Sequence, residues 1–301
     1  MNLWLLRIFG IMTTFGMLIV LIQGALVTQT GSGDACGAEW PLCYGQLIPE
    51  NPTIPTLIEY THRLVSGIMG IMVISHAAWS WFRLRHLRET RVFAVLSVFF
   101  IILQGLLGAA AVVWGQSNAV MALHFGFSLV SFASVLLLTV LAFEDGKATR
   151  FTTPDISSGM RKLIYFSIVY IYVVVYTGAF VSHSGSGGAC QGWPLCNGQF
   201  IPELEGGVLI QFVHRAAAGS LFLLLLGLLL IVAKHYRHQI TLYISIFLSF
   251  VFITTQVASG AIVIFSGFNI YATMFHALMI SLLFGTFSYT TLLANRSGMK
   301  K

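Results

Sequence analysis

Gly31-Ser32-Gly33-Asp34-Ala35-Cys36, then Trp40-Pro41-Leu42-Cys43, Gly45-Gln46, Ile48-Pro49 and Glu59-Tyr60-Thr61-His62-Arg63, is a pattern that this chain carries twice. It returns, 152 to 154 residues later, as Gly185-Ser186-Gly187-Gly188-Ala189-Cys190, Trp193-Pro194-Leu195-Cys196, Gly198-Gln199, Ile201-Pro202 and Gln211-Phe212-Val213-His214-Arg215. An internal repeat of this length predicts two structural units related by pseudo-symmetry. The copies diverge at one chemically important position: Glu59 in the first corresponds to Gln211 in the second.

The sequence around the repeat is that of a membrane protein. Hydrophobic residues make up 57% of the chain and charged residues 9%, whereas a soluble domain carries about 25% charged residues. A helix needs roughly 20 apolar residues to cross a bilayer. Eight such runs are present, at about 8–27, 57–82, 92–113, 119–143, 162–181, 208–233, 240–264 and 270–293. They are continuous and long, which excludes the short alternating strands of a barrel. The first run lacks a small-residue cleavage site and is read as a retained helix rather than a signal peptide. The expected fold is therefore an all-α integral membrane protein with eight transmembrane helices in two pseudo-symmetric four-helix bundles. The expected organisation is an N-terminal half over 1–146, a cytoplasmic linker over 147–161 and a C-terminal half over 162–301.

Orientation follows from the basic residues, which accumulate on the cytoplasmic side. Arg7, the cluster Arg83, Arg85, Arg88 and Arg91, the linker group Lys147, Arg150, Arg161 and Lys162, then Lys234, Arg237, Arg296, Lys300 and Lys301 all fall on one side. Of the sixteen Lys and Arg residues only Arg63 and Arg215 fall elsewhere. Both termini are thus expected in the cytoplasm. The net charge of +6 reflects this topology; without a basic patch interleaved with aromatics, no nucleic-acid partner is expected.

The outer loops, 28–56 and 182–207, hold all four cysteines, Cys36 with Cys43 and Cys190 with Cys196. In an oxidising compartment each pair is expected to form a disulfide within its loop. Two roles stay open: a staple for a Gly-rich loop, or a short exposed disulfide that exchanges electrons or thiols with a partner. The spacing matches neither a zinc ribbon nor a thioredoxin-type motif.

Nine histidines occur, and four form a pattern. His62 and His214 lie a few residues inside the outer ends of helices two and six; His124 and His276 lie similarly inside helices four and eight. Five or six residues at 1.5 Å per residue place each roughly 8 Å below the outer boundary. Ionisable groups at membrane depth are costly and mark function. Of the others, His86, His235 and His238 read as cytoplasmic-loop residues and His183 as part of the second outer loop. His76, with Leu228 at its repeat position, reads as packing or hydrogen bonding.

Two imidazoles per half in an apolar, aromatic-rich bundle describe axial ligation of a haem better than a four-ligand zinc site. Arg63 and Arg215, which break the charge rule at the outer surface, suit bidentate contact with haem propionates; snorkelling to lipid headgroups is the alternative. Gln104-Gly105 and Gly108, like Gln256 and Gly260, stand at matching places where small residues permit close helix packing or leave room for a flat ligand. Glu59 precedes His62 by three residues and projects to the same helix face. A buried carboxylate there suits proton transfer or stabilisation of a cation, unless it merely pairs with Arg63. Gln211 keeps the hydrogen bonding and lacks the charge.

With these motifs in hand, Glu59-x-x-His62-Arg63, His124, His214-Arg215 and His276, together with the outer cysteine pairs, the chain resembles the haem A synthase family of bacterial type over residues 8–293. The resemblance implies an oxidoreductase of the bacterial cytoplasmic membrane, multi-pass in the lipid. It implies that a ring methyl of haem O is oxidised to a formyl group by successive hydroxylation and loss of water, giving haem A for terminal oxidases. It further implies a haem B cofactor held by His214 and His276 in the C-terminal half, with the substrate haem between His62 and His124. Glu59, Cys36 and Cys43 would serve catalysis, haem O synthase would donate the substrate, and an unidentified acceptor would take the electrons. The competing reading is a di-haem b-type cytochrome that oxidises quinol. It uses the four histidines equally well and leaves the single carboxylate Glu59 unexplained.

Overall fold

The computed structural model describes residues 2–115 and 117–298. Met1, Lys300 and Lys301, on which the outer domain limits and part of the charge argument fall, lie outside the described residues. The described chain is helical, with eight helices long and apolar enough to cross a membrane. They are α1 (Leu3–Thr30), α2 (Ile54–Arg83), α3 (Arg88–Trp114), α4 (Asn118–Glu144), α5 (Ser158–His183), α6 (Gly206–His235), α7 (Ile240–Phe265) and α8 (Ile270–Gly298).

The first two helices start before their apolar runs because polar residues cap them. The Asn2 side chain accepts the Trp4 N–H at 3.0 Å, and Thr53 accepts that of Thr56 at 3.3 Å, so both serve as N-caps. Gly31 closes α1 in the left-handed conformation, φ 62°, donating to the carbonyl of Thr28. The extra turns move the histidines deeper than the apolar runs suggest: His62 lies eight residues into α2 and His214 eight into α6. At 1.5 Å per residue that is about 12 Å from the helix start. His183, expected in a loop, is the last residue of α5.

The chain divides into two compact units, Met1–Phe143 with Ser182–Ser184, and Glu144–Val181 with Gly185–Lys301. In the first, α1 packs on α2 and α2 on α3; in the second, α6 packs on α7 and α7 on α8. The last helix of each set, α4 and α8, is buried over 72% and 67% of its apolar stretch, against at most 33% for the other six. Their inner side chains, such as Leu129, Leu138 and Leu141 on α4 and Leu283, Phe287 and Leu293 on α8, are almost fully enclosed. The remaining helices keep large apolar faces exposed, as a lipid-solvated bundle requires. In the second unit a buried ion pair joins Glu144 to Arg296 at 2.7 Å, and Tyr289 donates its hydroxyl to the same carboxylate at 2.6 Å.

The two cysteine loops have one design. Cys36–Cys43 and Cys190–Cys196 are disulfides, with Cα–Cα distances of 4.5 and 4.7 Å. Each is followed by a two-residue reversal in which Cys43 and Gln46, or Cys196 and Gln199, exchange backbone hydrogen bonds at 3.0 Å. The central residues, Tyr44-Gly45 and Asn197-Gly198, all have positive φ between 51° and 76°. That is the type I′ turn, and it accounts for the glycine that both copies keep.

Candidate functional site

The site in each unit starts from two imidazoles and two glycines. In the first unit, a Cβ on Gly24 of α1 would stand 3.4 Å from His62 Cε1, and one on Gly108 of α3 would stand 3.5 Å from His124 Cε1. In the second, a Cβ on Gly178 of α5 would come within 2.8 Å of His214 Cε1, and one on Gly260 of α7 within 3.2 Å of His276 Cε1. Every one of the four rings therefore lies against a residue without a side chain on the preceding helix. The repeat offset identifies Gly24 and Gly178 as equivalents, a signal that reading each helix alone does not reveal.

All four rings are partly enclosed by their neighbours. The ring environments differ. In the second unit His214 Nδ1 is 3.0 Å from Thr177 Oγ1, and His276 has Nδ1 2.9 Å from Ser259 Oγ and Nε2 3.0 Å from the Gln256 amide nitrogen. In the first unit, among the described residues, His62 Nδ1 and His124 Nδ1 are buried without a hydrogen-bond partner, as are the amide oxygens of Gln23 and Gln104.

Above His62 and His214, side chains from the same helices hold the loops. Glu59 is buried and accepts the backbone N–H of Cys36 at 2.7 Å, while its other oxygen binds the guanidinium of Arg63. Arg63 also donates to the carbonyls of Leu42 at 2.7 Å, Gly37 at 3.2 Å and Glu39 at 3.4 Å. The second unit repeats this arrangement. Gln211 accepts the Cys190 N–H and donates to the Gly187 carbonyl. Arg215 donates to Cys190 at 2.8 Å, Gly192 at 2.9 Å and Leu195 at 3.1 Å. The contacts of both arginines are thus with loop carbonyls and, in the first unit, Glu59. His76 is fully buried with neither ring nitrogen hydrogen-bonded among the described residues, and meets the edge of Phe9 at 6.2 Å between centroids. Of the two sequence expectations, packing is what it does.

The donor set fits a haem. Among the described residues, His, Cys, Asp and Glu nowhere gather in a group of three or more that would cage a metal ion, whereas a haem iron asks only for axial ligands, its porphyrin supplying the rest. Two imidazoles per unit, each against a glycine on an apolar helix, meet that demand.

Comparison with known proteins agrees with this geometry. A family described as COX15-CtaA, cytochrome oxidase assembly protein, matches residues 7–288. A protein of Shouchella clausii named heme A synthase is 50% identical over 98% of this chain and 99% of its own length. Relatives of the same name from Halalkalibacterium halodurans, at 49% over 97% of the chain and 98% of the relative, and Geobacillus kaustophilus, at 46% over 97% and 92%, are similar throughout.

Proposed function

We infer from the COX15-CtaA family of cytochrome oxidase assembly proteins, to which this chain belongs, that it is a multi-pass membrane enzyme of haem biosynthesis that takes haem O and yields haem A. The full-length likeness to relatives named heme A synthase favours this over a di-haem cytochrome.

The first unit receives the substrate haem between His62 and His124, and a ring methyl becomes a formyl group by two hydroxylations and loss of water, a net four-electron oxidation. The second unit holds haem B through His214 and His276; when bound it supplies one-electron redox chemistry. Haem O synthase hands over the substrate, and an electron acceptor takes what is removed. The distribution of Lys and Arg supports cytoplasmic termini, with the cysteine loops and histidines toward the outer face.

The observation that carries the division of labour is the exchange of Glu59 for Gln211. The two side chains make the same contact, to the N–H of Cys36 or Cys190, yet only Glu59 can hold or release a proton. It lies on the face of α2 that carries His62, with Arg63 balancing its charge. Each hydroxylation removes one C–H hydrogen from the substrate carbon while two electrons pass to the acceptor, and Glu59 is the titratable carboxylate on that helix suited to receive a proton. Arg215 uses three of its five N–H donors on loop carbonyls and is also suited to an anionic propionate at the loop edge; Arg63, with all five donors engaged, would meet a propionate only by exchanging a present acceptor.

Haem extraction and chromatography from membranes that express the protein with haem O synthase test the assignment. Haem A should accumulate beside haem B. Unchanged haem O and haem B, at normal expression, would overturn it.

A further inference from the structure

The two units differ in what stands behind their histidines. Thr177 Oγ1 donates its hydrogen to the carbonyl of Val174 at 2.8 Å. That oxygen can therefore only accept from His214 Nδ1, 3.0 Å away. Ser259 is arranged in the same way: its hydroxyl donates to the carbonyl of Gln256 at 2.9 Å, leaving the oxygen to accept from His276 Nδ1 at 2.9 Å. Both imidazoles are thereby held with the proton on Nδ1 and the lone pair on Nε2. At His276 the Gln256 amide nitrogen, a donor, lies 3.0 Å from Nε2 and takes the same lone pair, so this amide must turn away when Nε2 ligates iron.

In the first unit the equivalent positions are Gln23 and Leu107. Leu107 has no hydroxyl to offer, and the Gln23 amide oxygen is buried with no partner among the described residues. His62 Nδ1 is likewise buried without a partner there; His124 has the backbone carbonyl of Gln104 beside its ring and no side-chain partner on Nδ1. No side chain selects their tautomer.

We propose that Thr177 and Ser259 are positioning residues that lock His214 and His276 with Nε2 as the ligating atom for a resident haem, and that replacement of both by Gln23 and Leu107 keeps the first unit's haem exchangeable. The inference rests on the reading that the second unit holds haem B. A hydrogen bond from the far nitrogen of a ligand histidine fixes its ring and raises its basicity, and loss of such a partner costs about 10- to 100-fold in metal affinity. A cofactor that stays needs this; a substrate that must leave as product is better held without it.

The test uses full-length protein loaded with haem B. Thr177→Val and Ser259→Ala should each release haem to apomyoglobin about tenfold faster than the unaltered protein. Each should raise the midpoint potential of that haem, because a less basic imidazole stabilises ferric iron less. Thr177→Ser and Ser259→Thr should restore both properties, which a packing role alone would not do. In the reverse direction, Gln23→Thr with Leu107→Ser should slow haem O release from the first unit. Unchanged potentials and release rates in the Val and Ala variants would overturn the inference. The underlying reading fails separately: it is sunk if His214→Ala and His276→Ala keep a full complement of low-spin haem B.

Discussion

The carboxylate of Glu59 accepts the backbone N–H of Cys36 at 2.7 Å, tying the first disulfide loop to the helix that carries His62. Arg63 completes the tie, reaching from the same helix to Glu59 and to three loop carbonyls. A change in charge at Glu59 is therefore felt at the disulfide. In the second unit the amide of Gln211 makes the equivalent tie without a titratable group. The loop anchor is common to both units, and the charge belongs to one.

Glu59→Gln should fold, insert and retain haem in the second unit, because Gln211 shows that an amide satisfies the same N–H. Formation of haem A from haem O should fall by about 100- to 10,000-fold, the usual range for general acid–base groups. Haem chromatography at matched protein level measures it. Activity within about twofold of the unaltered protein would leave Glu59 as a structural partner of Arg63.

Replacing Cys36 and Cys43 together by Ser should lower haem A formation more than replacing Cys190 and Cys196. The first pair adjoins Glu59, the carboxylate proposed to take protons, while the second adjoins Gln211. Peptide mapping without reductant should recover both bridges from the unaltered protein. If the two double variants are equally active, both disulfides are staples.

Gly178→Ala and Gly24→Ala should differ in effect. The added methyl would stand 2.8 Å from the His214 ring but 3.4 Å from that of His62, so only the former must displace its histidine. Haem B content by pyridine haemochromogen should drop in Gly178→Ala and stay near normal in Gly24→Ala.

Glu144→Ala should destabilise the second unit by about 3 to 5 kcal/mol, since it leaves Arg296 as a buried charge without its carboxylate. Tyr289 loses its acceptor as well. Thermal unfolding in detergent reads the shift; a melting temperature unchanged from that of the unaltered protein would show that the pair is not structural.

Much of this molecule is legible along the chain. The eight spans follow from the length of apolar run that a bilayer demands, and in the first two helices the expected limits fall inside the observed ones because capping by Asn2, Thr53 and Gly31 adds residues that hydropathy does not register. The repeat picks out the cysteine pairs, the four histidines and the exchange of Glu59 for Gln211, since these residue types are rare in membrane helices and their spacing survives duplication. Gly24 and Gly178 were also within reach through the repeat offset, but a single glycine in an apolar helix looks the same whether it packs against lipid or against an imidazole.

What only the tertiary structure decided is which group each polar atom meets. Thr177 and Ser259 are ordinary hydroxyl residues in sequence, and their role depends on a histidine 37 or 17 residues away on another helix. Arg63 and Arg215 stand out in sequence only as basic residues on the outer side, and the loop carbonyls they hold come from residues 20 to 26 positions away. His76 reads equally as hydrogen-bonded or packed until its ring is seen buried against Phe9 with neither nitrogen hydrogen-bonded among the described residues. Hydrophobic run length is a property of consecutive residues and is set by the bilayer. Hydrogen-bond partnership is set by short distances between helices, and no local pattern carries that information.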